Sequence, residues 1–316
     1  MIIAVCSDKG APGVTTLATA LGVVWPGSAT VLEADPSGGD LTFRLRSAQT
    51  PAQDLLPTEP SVFTLAADVR TGLVGGNVAR YGQVSTLGVR VIPGPLRAER
   101  SAGLSAMWPA VAQEVAASPD VVIADLGRMQ PGHPGWPLAQ AAVVVLVVAR
   151  PDPEGLFHLR ERAAELAHDL GGPERARNPV AVVMLAEARR RRTVLAQSTH
   201  VFDAAGLPIP VLGWMAEDRP GVVALRGGQM TRALRSSVLL RSVGELRTSL
   251  IRWWPQLTST GDTSGPQPAG APAEGGRVQV GRQSERGAGS RRLNSGPGTA
   301  RGTAGGTGGR FPEAPS

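Results

Sequence analysis

The chain has one cysteine and four histidines among 316 residues, and aromatic residues make up only 4% of it. A single cysteine excludes a disulfide framework and a zinc site built from cysteines. The histidines show no ligand spacing, which argues against a metal site of that kind. The longest apolar run, residues 141–149, is about half of a membrane-spanning helix. The first residues are too short and uncharged for a signal peptide. We therefore expect a cytoplasmic protein that does not span a membrane.

Lysine is almost missing as well. Of the 32 basic residues, 31 are arginines and the other is Lys9, and the net charge is +6. This mild excess permits contact with nucleic acid or anionic lipid but does not require either. The position of the lone lysine needs an explanation of its own.

The composition changes close to residue 258. The last 59 residues contain 15 glycines and six prolines but only four large apolar residues. Such a segment buries too little apolar surface to offset the entropy lost on ordering. We predict a folded domain over residues 1–257 and a disordered tail over 258–316. The tail is either a solvated appendage or a basic arm that contacts nucleic acid, lipid or an acidic partner.

Short apolar runs alternate with longer helical patterns in the folded part. The runs are apolar throughout, as expected of parallel strands covered by helices on both faces. This predicts an α/β fold with a doubly wound, mostly parallel sheet of about seven strands, whose ligands bind at the carboxyl ends of the strands. The predicted strands are Ile2–Cys6, Thr30–Ala34, Val89–Ile92, Val121–Asp125, Val143–Ala149, Val180–Leu185 and Val211–Trp214. The predicted helices are Thr15–Val24, Ser61–Val69, Ala98–Ala117, Glu154–Leu170, Val194–Ala205, Arg219–Arg226 and Ser236–Trp254.

The loop after the first predicted strand has the features of a phosphate-binding loop. It contains two glycines and leads into a helix that opens with Thr15 and Thr16. Loop amides and the helix N-terminus favour an anion, and the Thr15 hydroxyl suits Mg²⁺. The pattern G-x-x-x-x-G-K-[ST] is not met, because Asp8 and Val14 stand at the first glycine and lysine positions. An ordinary strand-to-helix turn is the alternative.

The position of the lysine adds a further signal. The segment Lys9-Gly10-Ala11-Pro12-Gly13-Val14-Thr15-Thr16 resembles the deviant Walker A motif, K-G-G-x-G-K-T, of the MinD/ParA ATPase family. In that family a signature lysine at the start of the loop reaches the phosphates bound by the other subunit of a nucleotide-sandwich dimer, and Lys9 stands at that position. The resemblance implies a P-loop NTPase fold, ATP and Mg²⁺ as ligands, and a homodimer on ATP binding. It implies nucleotide binding by all eight residues of this segment.

Further segments continue the resemblance over about residues 1–255. Residues 33–40 are similar to switch I of the family, which implies that Asp35 orients the attacking water. Residues 121–127 resemble the Walker B strand, which implies that Asp125 joins Thr15 in holding Mg²⁺. Residues 212–219 resemble the loop near the adenine, which implies nucleotide binding by Glu217 and Asp218.

Val14 is the main departure from the family pattern. A lysine there would make a charge-assisted bond to phosphate, and losing it should weaken nucleotide binding about 10- to 100-fold. We expect weakened ATP binding and slow or partner-stimulated hydrolysis, with Lys9 and Asp35 as the catalytic candidates. The family positions chromosomes, plasmids, septum-site regulators or pilus and secretion machinery, the last in its TadZ/CpaE branch. The alternatives are a non-hydrolysing scaffold that acts through protein–protein contacts and a DNA-binding partition protein.

Two basic segments leave alternatives open. Arg189–Arg192 is either a solvated helix start or a patch for DNA backbone or anionic lipid. The last predicted helix carries an apolar stripe that predicts packing against the sheet. Together with Trp253 and interleaved arginines, the same helix could contact a membrane surface. The second alternative would place the protein at the inner face of the cell membrane. The stripe consists of Leu239, Val243, Leu246, Leu250 and Trp254.

Overall fold

The computed structural model describes residues 1–10, 12–50, 55–171 and 179–258. Within these ranges the chain forms eight strands and eleven α-helices. The strands are β1 (Ile2–Ser7), β2 (Ala29–Glu33), β3 (Gln83–Val84), β4 (Arg90–Ile92), β5 (Val121–Arg128), β6 (Val144–Ala149), β7 (Val180–Ala186) and β8 (Val211–Ala216). The α-helices are α1 (Val14–Val24), α2 (Leu41–Arg44), α3 (Val62–Arg70), α4 (Ala98–Ser101), α5 (Trp108–Ala117), α6 (Trp136–Ala141), α7 (Pro153–Leu170), α8 (Arg191–Ala204), α9 (Arg219–Arg226), α10 (Arg232–Arg235) and α11 (Val238–Trp253). Short 3-10 helices cover Val78–Tyr81, Ala102–Leu104 and Pro255–Thr258.

The strands form one mostly parallel sheet in the order β3-β4-β2-β5-β1-β6-β7-β8. Every neighbouring pair is parallel except β3 and β4. The central strand β1 pairs Ile3 with Ile123 on one side and with Val144 on the other. The seven predicted strands are confirmed, whereas β3 was missed because two residues carry no readable pattern. Since parallel strands end at one edge, the loops after β1, β2, β5 and β6 meet there.

The sheet separates two apolar cores, as predicted for helices on both faces. Along β1, Ile2, Ala4 and Cys6 face one core, and Ile3 and Val5 face the other. The first core is completed by side chains of α3, α5, α6, α7 and α8, and the second by side chains of α1, α9, α10 and α11. Burial raises the pKa of the Cys6 thiol to about 12, so this cysteine stays protonated inside the core.

The single long helix predicted over Ala98–Ala117 is wrong. α4 ends at Ser101, and α5 begins at Trp108 with Pro109 in its first turn. Proline has no N–H to donate and is tolerated at a helix start but not in its interior. The helices α2, α6 and α10 were not predicted, because four to six residues are too few for a helical periodicity to show.

The last helix packs against the sheet. All five members of its predicted stripe are buried in the second core, while Trp253 is 39% exposed. The packing interpretation is therefore confirmed for the stripe. No helix in the described part of the chain has the length and apolar character needed to cross a membrane. Nearly all of the predicted tail, residues 259–316, lies outside the described residues.

Candidate nucleotide-binding site

The N-terminus of α1 opens onto a polar cavity. Gly13 is the residue before the helix, with a left-handed φ of 86°, and no side chain caps the helix. The first N–H groups of a helix have no partner within it. Residues 13–16 line a cavity of about 190 Å³ together with residues at the end of β2, in the loop after it and in the last part of β5. The backbone amides and the positive end of the helix dipole therefore face a space that suits a phosphate.

Asp125 in β5 is a buried acid of this cavity with a strongly raised pKa. It is 2% exposed and accepts a hydrogen bond from the Gly127 amide at 3.1 Å. Burial raises the pKa of Asp125 to about 7, the bond from the Thr15 hydroxyl opposes that rise, and the nearby Glu33 carboxylate adds to it. A hydroxyl and a carboxylate are hard oxygen donors of the kind that Mg²⁺ prefers. The pair formed by Thr15 and Asp125 therefore fits a bound Mg²⁺, whose charge would favour the ionised carboxylate.

Asp35 lies directly over the backbone that follows Asp125. Its Oδ1 accepts a bond from the Ser37 amide at 2.8 Å. A Cβ added at Gly127 would lie 2.0 Å from Asp35 Oδ2, and the φ of Gly127 is +60°. Only glycine satisfies both conditions at this position. The close approach holds the Asp35 carboxylate at the rim of the cavity that contains Asp125.

Glu33, the last residue of β2, has a structural role. It is 2% exposed. Its Oε1 accepts bonds from the amides of Asp40 and Leu41, each at 2.9 Å, and its Oε2 accepts one from Gly94 at 3.1 Å. Burial raises the pKa of Glu33, and these bonds oppose the rise. The side chain therefore anchors the loop after β2 and the start of α2.

Lys9 lies in a different cavity from Asp125. Lys9, Gly10 and Pro12 line a second space of about 210 Å³ with the end of β6 and the start of α7. Lys9 is exposed. The neighbouring Asp8 carboxylate pairs with Arg162 of α7 at 3.2 Å. Lys9, at the signature position, therefore lines the cavity beside α7 and not the cavity that contains Thr15 and Asp125. Ala11 lies outside the described residues.

The two acids predicted near the adenine have partners within the protein. Glu217 accepts a bond from Arg150 at 2.8 Å. Asp218 accepts bonds from the Gly221 amide at 2.9 Å and from the Leu239 amide at 3.0 Å. Neither acid lines the two cavities described above. Asp218 caps α9 and binds the start of α11, and contact of either acid with a nucleotide stays a prediction.

Val14 brings no charge to the site. It is 2% exposed and belongs to the second apolar core. The structure thus gathers six predicted residues around one cavity and places the start of the loop in the neighbouring one. The six residues are Gly13, Val14, Thr15, Thr16, Asp35 and Asp125.

No protein-family model and no curated protein sequence matches the chain. Solved structures do match. A ParA family ATPase from Chlorobium tepidum TLS is 16% identical, with a TM-score of 0.56 over 79% of this chain and 98% of its own. The septum site-determining protein MinD from Pyrococcus horikoshii OT3, complexed with Mg-ADP, is 15% identical, with a TM-score of 0.58 over 82% of this chain and 98% of its own. A Cyanothece McdA–ATP complex is 18% identical, with a TM-score of 0.56 over 79% and 95% of the two chains. This chain has the MinD/ParA fold.

Within this MinD/ParA fold, the cavity includes residues that the sequence analysis missed. Arg44 of α2 and Arg226 at the end of α9 both line it. No sequence signal could have paired them, because they are far apart in the chain and stand outside the motifs. Gly127 could have been found, since it follows Asp125 by two residues at the end of a predicted strand.

Arg189–Arg192 lies at the carboxyl end of β7, on the same edge of the MinD/ParA fold as the two cavities. Arg189 pairs with Glu187 at 2.6 Å, and the Arg191 guanidinium lies 5.5 Å from the centre of the Trp214 ring. These two arginines therefore have partners in the protein. Contact of the segment with DNA or lipid stays a prediction.

Proposed function

We propose that the chain is a nucleotide switch of the MinD/ParA type that binds ATP together with Mg²⁺. The observation that carries the proposal is the pair formed by Thr15 and buried Asp125 beside the uncapped N-terminus of α1. The similar structures include a MinD with Mg-ADP and an McdA with ATP. A site that presents amides, a hydroxyl and a carboxylate together suits the phosphates and the metal at once.

Each side chain has a role in this proposal. Thr15 and Asp125 hold Mg²⁺, which when bound neutralises phosphate charge. Asp35, held against Gly127, accepts a hydrogen bond from the attacking water and orients it. Lys9 reaches the phosphates of a second copy of the chain in a face-to-face dimer. The dimer that forms when nucleotide is bound then positions a cargo, such as a chromosome, a plasmid, a septum-site regulator or pilus machinery.

A scaffold that has lost ATP turnover is the second candidate. It is favoured by Val14, which is buried and uncharged where the family has a lysine. The lone Lys9 does not compensate within the same cavity. Such a chain would keep the fold and act through protein partners. In either candidate, the chain acts through a protein partner. Contact of the arginine-rich segments with DNA or lipid would be an additional interaction.

The binding test is calorimetric titration of ATP, with and without Mg²⁺, into the full chain and into Thr15→Val. We expect binding that depends on Mg²⁺ in the wild type and a loss of at least tenfold in the variant, because the hydroxyl ligand is gone. Thr19→Val is the matched control, since the Thr19 hydroxyl bonds to the Thr15 carbonyl at 2.8 Å. No ATP binding in millimolar Mg²⁺ would contradict the proposal.

Turnover separates the switch from the scaffold. In a switch, phosphate release from ATP is slow but measurable, and Asp35→Ala abolishes it because the water is no longer oriented. In a scaffold, the wild type and Asp35→Ala release phosphate equally slowly. The measurement is phosphate release over hours at saturating ATP.

A further inference from the structure

The cavity at α1 is rich in acids. Glu33, Asp35, Asp40 and Asp125 all line it. A nucleoside triphosphate would add several more negative charges, and one Mg²⁺ offsets only two. Val14 supplies no charge, and Lys9 lies in the neighbouring cavity. The helix amides favour a phosphate here, and further cations facing the cavity would offset the remaining negative charge.

Two arginines face this cavity, and they are the cations among its described lining residues. They are Arg44 of α2 and Arg226 of α9. Both also border a shallow recess next to Thr15 and Thr16, in the first turn of α1, and to Thr19 one turn later. Their positions therefore flank the helix start at which a phosphate would sit.

The backbone segments that carry the two arginines pack against each other. Gly228, just after α9, packs so closely on the chain after α2 that an added Cβ would lie 2.8 Å from the Arg46 amide and 2.9 Å from the Arg44 carbonyl. The Thr86 hydroxyl donates a hydrogen bond to the Gly228 carbonyl. The end of α9 is thus fixed against the segment that carries Arg44.

Both guanidinium groups are available to a ligand. Arg226 is exposed, and its side chain makes no hydrogen bond or ion pair within the described part of the chain. Arg44 pairs with Asp40 one helical turn before it, and the two side chains are 29% and 58% exposed, respectively. An exposed ion pair of this kind contributes little to stability, so Arg44 can exchange it for a phosphate at small cost.

We propose that Arg226, assisted by Arg44, supplies the positive charge toward the β- and γ-phosphates that Val14 does not. This rests on the proposed nucleotide binding. A planar guanidinium donates two parallel N–H bonds to phosphate oxygens. An arginine outside the Walker A loop can therefore neutralise the phosphate charge. The charge then comes from α9 and α2 rather than from the Walker A loop.

The test is the affinity of the full chain for ATP with Mg²⁺ in Arg226→Ala, Arg44→Ala, Arg226→Lys and Arg241→Ala. We expect Arg226→Ala to weaken ATP binding by about tenfold or more, and Arg44→Ala to weaken it less, because charge-assisted bonds are lost. Arg226→Lys should lose less affinity than Arg226→Ala, since it keeps the charge but not the two parallel N–H bonds. Arg241→Ala is the matched control, because Arg241 is an exposed arginine of α11 that does not line the cavity.

The outcomes separate this inference from the proposed function. If the wild type binds ATP and Arg226→Ala and Arg44→Ala bind it equally well, the inference is overturned and nucleotide binding stands. If the wild type does not bind ATP, both fail. Thermal unfolding without nucleotide is the second readout. A midpoint that falls equally in Arg226→Ala and Arg226→Lys, along with affinity, would assign Arg226 a structural role and overturn the inference.

Discussion

Asp125 is kept in surroundings that oppose its own charge. Burial is the largest cause of its raised pKa, and the carboxylates of Glu33 and Asp35 add to it. A buried carboxylate of this kind destabilises the ligand-free protein at neutral pH, and a nearby cation stabilises its charged form. The arrangement favours ligand binding over the stability of the free chain.

A pH dependence of stability follows from that pKa. The folded pKa of about 7 lies above the ordinary value of 3.8, so the unfolded chain loses this proton first as the pH rises. The contribution of Asp125 to the free energy of unfolding should therefore be highest below about pH 4, decrease by on the order of 4 kcal/mol up to about pH 7 and then level off. Asp125→Asn has no such charge and should be more stable than the wild type at pH 8.

Urea unfolding at pH 5 and pH 8 in EDTA measures this difference. The stability gained by Asp125→Asn over the wild type should be larger at pH 8 than at pH 5. The same variant should bind Mg²⁺ and ATP more weakly, since a carboxylate ligand is lost. Asp169→Asn, at an exposed acid of α7, serves as the control and should show no such gain. An equal stability difference at both pH values would contradict the pKa assigned to Asp125.

At the scale of the elements, one carboxylate joins two helices that follow β8. Asp218 caps α9 through the Gly221 amide and also accepts the Leu239 amide at the start of α11. Asp152 caps α7 alone, through the Gly155 amide at 2.7 Å. The two aspartates differ in the number of helix starts that they bind, which makes them a matched pair.

Removal of each cap should reflect that difference. A lost helix cap costs about 1 kcal/mol. Asp218→Ala should therefore lower the free energy of unfolding by about 2 kcal/mol and Asp152→Ala by about 1 kcal/mol, as measured by chemical denaturation. Equal losses would show that the bond to Leu239 adds nothing to the cap of α9.

At the scale of the whole molecule, the position of Lys9 bears on the proposed dimer. Lys9 is exposed and lines the cavity beside α7, whereas Thr15 and Asp125 line the other cavity. A second copy facing the same edge of the sheet would place a nucleotide within reach of this lysine. The cation would then contribute to the assembly rather than to the single chain.

Light scattering of the full chain with ATP and Mg²⁺ tests this arrangement. Asp35→Ala should accumulate as a dimer, because ATP remains bound when its hydrolysis is blocked. Adding Lys9→Ala to that variant should return it to the monomer, because the bond across the dimer is lost. Arg241→Ala in the same background should leave the dimer intact. A dimer that persists without Lys9 would contradict the role given to this residue.

The amino-acid sequence by itself predicted the seven parallel strands, the helices on both faces and six of the thirteen residues that line the cavity at α1. These features follow from local patterns, since apolar runs mark buried strands and a glycine loop before threonines marks a phosphate site. The sequence could not predict β3 from periodicity, because two residues are too few to show a pattern. The break before Trp108 was missed although Pro109 marks a helix start there. The sequence also could not show that Asp218 bridges two helices.

The sequence determined which residues carry the chemistry of the loop. It also placed an uncharged residue at position 14 and the only lysine of the chain at position 9. Only the tertiary structure decided which of them face one another. It placed Lys9 and Asp125 in separate cavities, laid Asp35 over Gly127 and brought Arg44 and Arg226 to the start of α1. The physical reason is that order along the chain sets local backbone preferences, whereas proximity between distant residues is set by strand order and by the packing of helices on the sheet.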